Sequence, residues 1–145
     1  MNRLSNVKVV QVALADKTGP AGFTVDRGKS QNALVSPGES PLLVLTMSLD
    51  ELVEEHSFPP PDLVKLDVEG AEASVLEGAR LTLERHRPIV FVAFHGEHQQ
   101  VTCRQILESV GYELFTLNGR TFAFSPTDVD EVYAVPSGES GIGEC

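Results

Sequence analysis

The amino-terminal part of the chain contains two apolar runs of strand length with a polar stretch between them. Residues 7–14 (V-K-V-V-Q-V-A-L) are β-branched and mostly apolar, which predicts a buried strand, and residues 42–47 predict a second one. Gly19 and Pro20 follow the first run and predict a turn. Residues 20–40 are rich in Gly, Ser, Pro and Asn, so we expect a meandering loop or an edge hairpin there.

Three stretches have the hydrophobic period of an amphipathic helix. The first, L-D-E-L-V-E-E-H, follows the N-cap candidate Ser48 and has Glu51 at the capping-box position. The second starts after Gly70 and runs for roughly 13 residues, with Glu72 expected to lie away from the buried stripe. The third covers residues 99–110 and ends at the next glycine. The buried stripe of the second helix is predicted to be Ala71, Val75, Leu76, Ala79 and Leu83.

Several apolar segments in the second half of the chain predict further strands. The run at 89–95 is apolar almost throughout, so we expect both of its faces to be covered. An Asn-Gly pair at 118–119 predicts a hairpin that joins strands at 112–117 and 121–125. Residues 131–135 predict a last strand.

The order of these elements predicts the fold class. Strand, helix, strand, helix and a terminal antiparallel hairpin are typical of the later half of a doubly wound α/β sheet. The chain contains no G-x-G-x-x-G turn and no G-x-x-x-x-G-K-[ST] loop for a nucleotide. We expect one domain over residues 1–135 and a flexible tail at 136–145, where the sequence has no packing pattern.

Composition and charge narrow the classes of partner. The 145 residues are 41% hydrophobic, and 21 acidic against 11 basic residues give a formal net charge of −10. This charge disfavours nucleic acid and anionic membrane surfaces, so a small or neutral partner is expected. Neither cysteine lies in a metal-binding or disulfide pattern, and no apolar run is long enough for a signal peptide or a membrane span. We therefore predict a cytoplasmic protein.

Regularly spaced charges occupy one face of the predicted strand at 62–69. Its alternation places Lys65, Asp67 and Glu69 on one face, with Asp67 and Glu69 at the carboxyl end. In open α/β sheets, ligands bind in the crevice outside that end of the strands. His95 ends the next strong strand and has an ordinary pKa of about 6.5, so it is a candidate proton acceptor at neutral pH.

The segment V-K-L-D-V-E-G-A-E-A-S-V-L-E-G-A resembles the FkbM-type family of S-adenosylmethionine-dependent methyltransferases. The flanking T-M-S-L-D-E-L and R-P-I-V-F-V-A-F-H extend the resemblance, which covers residues 6–117. It implies a partial class I methyltransferase sheet, Rossmann-like, with helices on its faces. It also implies S-adenosylmethionine as cofactor and methyl transfer to a hydroxyl oxygen of a small molecule or glycan acceptor.

The resemblance also implies roles for individual residues. Asp67 corresponds to the acid near the methionine end of the cofactor and the acceptor, Lys65, Glu69 and Glu72 belong to the same signature, and His95 ends the fifth strand. Asp67, Glu69, His95 and Lys65 are therefore the predicted catalytic residues. Asp67 is also a predicted cofactor ligand, and the end of the third strand, where related enzymes contact the adenine, supplies Ala13, Leu14 and Asp16.

Two features depart from the family pattern. The family has its Gly-rich cofactor turn and acidic ribose ligand upstream of the third strand, whereas this chain begins at Met1 without either. Ala93 stands where family members often carry an acid. We therefore expect the carboxyl-terminal part of a methyltransferase domain, with the edge of the strand at 7–14 open to self-association.

Purely structural roles for the same residues are also open. Glu69, Gly70 and Glu72 could simply open the helix, because carboxylates near a helix N-terminus stabilise it by about 0.3 to 1 kcal/mol. A histidine at a strand end such as His95 is often only a hydrogen-bonded structural residue.

Two other functions compete with methyl transfer. The first is a non-catalytic remnant or binding module that lacks the cofactor pocket. A carboxylate hydrolase ranks lower, because glycosidase acids flank their substrate whereas Asp67 and Glu69 would lie side by side. No metal site is predicted. The sequence H-G-E-H at 95–98 lies in a loop and lacks the helical spacing of H-E-x-x-H. A metal bound by Asp67, Glu69 and His95 is a lesser alternative.

Overall fold

The computed structural model of the chain describes residues 5–24, 33–40, 42–122 and 131–138. These residues form an α/β fold, as predicted, but their strands make two four-stranded mixed sheets where one sheet was expected. The elements follow in the order β1 Ala13–Leu14, β2 Gly19–Thr24, β3 Ala33–Val35, β4 Leu43–Met47, α1 Leu49–Glu54, β5 Leu63–Leu66, α2 Glu72–Glu77, α3 Arg80–His86, β6 Ile89–Ala93, α4 Glu97–Ser109, β7 Tyr112–Thr116 and β8 Glu131–Pro136.

The first sheet has the strand order β1-β4-β2-β3. Strands β2 and β3 pair antiparallel, which confirms the hairpin among residues 20–40. The turn predicted at Gly19 and Pro20 is wrong, because both residues lie in β2 opposite Thr46 and Leu45. A proline is tolerated at the start of a strand, where one missing N–H does not break the ladder.

The strand predicted at 7–14 is much shorter than expected. Only Ala13 and Leu14 pair, in parallel with Thr46 and Met47 of β4. Val7 and Val10 are exposed, and Val9 is 87% exposed. Strand propensity stabilises a strand only where a neighbour supplies hydrogen bonds and packing, and β1 is an edge strand of its sheet.

The second sheet has the order β5-β6-β8-β7, so the last strand lies between two earlier ones. Strands β5 and β6 are parallel, and β8 pairs antiparallel with both β6 and β7. The turn at 118–119 forms, with Gly119 at φ +79° and its N–H donating to the Thr116 carbonyl. For the second strand of this hairpin, predicted at 121–125, the described residues show one bridge, between Phe115 and Thr121. Residues 123–130 lie outside the described residues.

The helix predicted after Gly70 is divided into α2 and α3 at Gly78 and Ala79. A Cβ at Gly78 would overlap the Ala15 carbonyl oxygen and would lie 3.0 Å from the Ser48 Cβ, so the segment after β1 packs against this junction. The Gly78 carbonyl accepts a hydrogen bond from the Asp50 amide instead of continuing one helix. The N-cap at Ser48 and the helix predicted at 99–110 are confirmed as the start of α1 and as α4.

The main hydrophobic core lies between the second sheet and helices α2, α3 and α4. Glu72 is among its largest fully buried side chains, so its predicted position away from the buried stripe is wrong. Within the described ranges, no helix is long and apolar enough to cross a membrane. The core consists of Leu66, Val75, Leu76, Ala79, Leu83, Val90, Val92, Phe94, Cys103, Ile106, Leu107, Val110, Tyr112, Leu114, Phe122, Val132 and Ala134.

Candidate functional site

A tight turn follows the carboxyl end of β5 and leads into α2. Glu69 and Gly70 both have positive φ, +50° and +95°, and the Ala71 amide bonds the Val68 carbonyl at 3.4 Å. Glycine adopts this conformation without penalty, whereas a non-glycine residue in a sparsely populated region costs about 1–3 kcal/mol. Such strain is concentrated at functional sites, so the turn is a candidate for one.

His95 and Glu72 form a short polar contact at this edge of the sheet. The His95 Nδ1 atom lies 2.5 Å from Oε1 of Glu72. The His95 side chain is 30% exposed, whereas that of Glu72 has no exposed surface. The carboxylate is therefore an internal partner for an imidazole that faces the solvent on its other side.

The opposite ring nitrogen of His95 faces the two carboxylates of the turn. Its Nε2 lies 3.7 Å from Glu69 Oε2 and 3.9 Å from Asp67 Oδ1. Asp67 also forms an ion pair of 3.0 Å with Lys65 Nζ, and both side chains are more than half exposed. The structure thus brings together Lys65, Asp67, Glu69 and His95, as the sequence predicts, while their chemical roles stay predictions.

Gln99, in the first turn of α4, fixes the backbone around Glu72. Its Nε2 donates to the Gly70 carbonyl at 2.5 Å, and its Oε1 accepts from the Ala73 amide at 3.0 Å. The Gly70 amide donates to Oε1 of Glu72 at 3.0 Å. This clamp between α4 and the turn holds the Glu72 carboxylate in place below His95.

The inner side of Glu72 is apolar. Its Oε2 is buried and finds no hydrogen-bond partner in the part of the chain that the structure describes. Cys103 of α4 is completely buried, and burial together with the charge of Glu72 raises the pKa of its thiol to about 12. A buried polar atom without a partner is costly, and the contacts of the other oxygen, Oε1, with His95 and the Gly70 amide offset part of that cost.

The pKa of His95 is raised above its ordinary value. The main cause is the hydrogen bond to Glu72, which favours the protonated ring, while partial burial acts in the opposite direction. The negative charges of Glu72, Glu69 and Asp67 add to the increase. The imidazole is therefore protonated over a wider range of pH than a free histidine.

The predicted adenine-contacting residues lie at the end of β1, where Asp16 contacts α2 through Ser74. A cavity of about 740 Å³, here called the Asp16 cavity, opens beside the end of β1. Asp16 lines it and is tied to α2, because its amide donates to Ser74 Oγ at 3.0 Å and the Ser74 hydroxyl donates to its carboxylate at 3.1 Å. Ala13 and Leu14 are half-buried in β1, before the cavity. The lining comprises residues 15–21 and 34–37 with Glu39, Thr46 and Ser74.

Three contributors to this site were not predicted as site residues from the sequence. Glu72 belongs to the signature segment, but its helical period placed it outside the core. No local sequence pattern identifies Ser74 or Gln99. Ser74 bonds Asp16, 58 residues away in sequence, and Gln99 bonds Ala73, 26 residues away. Among the described residues, no group of three or more His, Cys, Asp or Glu side chains has an arrangement that could hold a metal ion.

Comparison with known proteins relates this geometry to a family. Residues 2–114 match the methyltransferase FkbM domain. Over 46 residues the chain is 46% identical to the hexuronic acid methyltransferase AglP of Haloferax volcanii. The aligned stretch covers 32% of this chain and 19% of that protein. The crystal structure of the methyltransferase FkbM from Methylobacillus flagellatus is similar with a TM-score of 0.58 at 19% identity. That match covers 90% of this chain and 28% of the other, and it shows a shared fold.

Proposed function

Because the chain belongs to the FkbM methyltransferase family, we propose that it transfers a methyl group from S-adenosylmethionine to a hydroxyl oxygen of a small molecule or glycan. The convergence of Asp67, Glu69 and His95 at the carboxyl ends of two parallel strands carries this proposal. Ligands of α/β folds bind at that edge of the sheet. The hexuronic acid in the name of the Haloferax relative supports a carbohydrate acceptor.

The residues present fit the cofactor at two places. Asp67 and Glu69 offer negative charge to a sulfonium cation, and they lie at the end of β5. The Asp16 cavity has a volume of about 740 Å³, in the range of small-molecule pockets, and we assign the nucleoside to it. Glu72 and Ser74 connect the two places, because both belong to the first turn of α2. Asp16 would therefore hold the nucleoside end and Asp67 the methionine end.

S-adenosylmethionine, when bound, supplies an electrophilic methyl group. The chain itself has to orient the acceptor hydroxyl and remove its proton. Asp67 is exposed enough to accept a hydrogen bond from that hydroxyl, and Lys65 fixes its carboxylate through their ion pair. In its neutral form His95 takes the proton at Nε2, the nitrogen that faces the two carboxylates.

Isothermal titration of the chain with S-adenosylmethionine tests the cofactor part of the proposal. We expect measurable heat with the wild type and weaker binding by Asp16→Ala and Asp67→Ala. Glu77→Gln is the matched control, since Glu77 lies in α2 but pairs with Arg80 at the surface. An absence of heat at millimolar cofactor would exclude an enzyme that acts alone.

Transfer is tested with a radiolabelled methyl donor and D-glucuronic acid, a hexuronic acid, as acceptor. Label in the sugar with the wild type and its loss in Asp67→Asn would support the proposal. If the cofactor binds and no hexuronic acid or glycan is labelled, the acceptor class is wrong.

The second candidate is a binding module without catalysis of its own. The chain spans 28% of the crystallised methyltransferase, and its alignment covers 19% of the Haloferax enzyme. The titration above separates the two candidates, since a module without a cofactor pocket gives no heat.

A further inference from the structure

We propose that Glu72 is a positioning residue that holds neutral His95 in one tautomer, with the proton on Nδ1 and the lone pair on Nε2. The inference rests on the proposed function, in which Nε2 receives the proton of the acceptor. It adds a residue that touches neither cofactor nor acceptor, because the Glu72 side chain is completely buried.

The hydrogen bonds identify Glu72 Oε1 as an acceptor. The Gly70 amide, which can only donate, lies 3.0 Å from it, and His95 Nδ1 lies 2.5 Å from the same atom. A carboxylate that accepts from Nδ1 requires the ring proton to be on that nitrogen. The neutral ring then carries its lone pair on Nε2.

The position of Glu72 is fixed by groups on two elements. Gln99 of α4 bonds both the Gly70 carbonyl and the Ala73 amide, which brackets Glu72 in the chain. Because Glu72 is completely buried, solvent water does not compete for the hydrogen bonds of its carboxylate. A buried carboxylate held this firmly orients the ring as well as its proton, as carboxylates behind catalytic histidines do.

The charged surroundings of His95 agree with this arrangement. Nε2 faces Asp67 and Glu69, which come from the turn after β5, and Nδ1 faces Glu72 of α2. Cys103 of α4 stays a neutral thiol, because its pKa is about 12. All the carboxylates attract a proton to the ring, while Glu72 alone is within hydrogen-bond distance of a ring nitrogen.

The test is nitrogen-15 NMR of the histidine rings in the full chain, which has four histidines. His95→Gln identifies the His95 signals by their loss. Above the His95 pKa, we expect the wild type to show a protonated Nδ1 and an unprotonated Nε2. Glu72→Leu should lose this pattern and shift toward a mixture of tautomers, and Glu77→Gln on the same helix should retain it.

Glu72→Gln covers the case in which the leucine variant does not fold. Its amide oxygen can still accept from Nδ1, so the tautomer should persist while the pKa of His95 falls with the loss of the charge. A protonated Nε2 in the wild type, or an unchanged tautomer in folded Glu72→Leu, would overturn the proposal. The NMR measurement needs neither cofactor nor acceptor, so its result is independent of the methyltransferase assay. Either proposal can fail while the other is supported.

Discussion

The carboxylate of Asp50, in α1, accepts a hydrogen bond of 2.7 Å from the backbone amide of Thr82, in α3. Its second oxygen accepts from the Leu81 amide at 3.0 Å. The residue at the N-cap position of α3, Ala79, has no side chain that could accept these bonds. Asp50 therefore caps a helix to which it does not belong, and it joins α1 to α3.

Asp50→Ala should lower the free energy of unfolding by about 1–2 kcal/mol, the usual cost of a lost N-cap. The reason is that two amides at the start of α3 lose their acceptor. Urea denaturation measures the change. The matched control is Asp62→Ala, an exposed aspartate before β5, which should shift stability by about 0.5 kcal/mol or less. Equal losses in both variants would contradict the capping role.

Gly78→Ala should destabilise the chain by about 1–3 kcal/mol, the range for overpacking. Its φ of −75° suits alanine, so the cost arises from the overlap of the new Cβ with the Ala15 carbonyl. Gly19→Ala is the control, because a Cβ there meets no atom within 4 Å. Thermal unfolding of the pair compares the two sites, and a Gly78 variant as stable as the Gly19 variant would show that the segment after β1 is free to move.

His95→Gln should reduce kcat for methyl transfer by roughly 10²–10⁴-fold, the usual contribution of a general base. The affinity for S-adenosylmethionine should change little, because His95 acts on the acceptor proton. Single-turnover kinetics with saturating cofactor measures the step. Retention of most of the wild-type rate would remove His95 as the base.

The stability that His95 provides should decrease as pH rises. Its folded-state pKa is raised by Glu72, so proton binding favours the folded chain. The difference in unfolding free energy between wild type and His95→Gln should be fully present below the unfolded-state pKa of about 6.5 and lost as pH rises through the higher folded-state pKa. Urea titrations across this range should show the trend.

The difference in unfolding free energy that His95→Gln causes should be smaller in a Glu72→Gln background, because the negative charge that is hydrogen-bonded to His95 is gone. A difference that grows with pH would have the wrong sign for a raised pKa.

Cys103 should be inert to thiol reagents in the folded chain. It is buried, and at neutral pH a thiol with a pKa of about 12 contains almost no thiolate, the reactive form. A Cys145→Ser variant leaves Cys103 as the single thiol, since the chain has two cysteines. Reaction with a disulfide reagent should then follow unfolding in urea, and rapid labelling without urea would contradict this.

Local patterns predicted the elements that depend on neighbours in sequence. The N-cap at Ser48 could be predicted because its hydrogen bond is local. The strand predicted at 62–69 forms only over Leu63–Leu66, and Glu69 lies in the turn that follows it. The division between α2 and α3 could not be predicted, because it depends on Asp50 and Ala15, distant residues that bond or crowd the junction. In the same way, the exposed Val9 has strand propensity but no partner strand among the residues that the structure describes.

The candidate site shows the same limit. Lys65, Asp67 and Glu69 could be placed together from one predicted strand, and His95 could be placed near them because it ends the next strong strand. Glu72 was assigned to the wrong side of its helix, because a hydrophobic period treats every carboxylate as solvent-facing. Its burial depends on His95, which lies 23 residues further along the chain.

The central position of β8 has a consequence for synthesis of the protein. Strands β6 and β7 leave the ribosome before residues 131–136, yet each pairs with β8. The nascent chain therefore carries two open strand edges until β8 emerges, and such edges are sites of non-native association. Completion of this sheet therefore waits for β8, which inserts between two strands that were made before it.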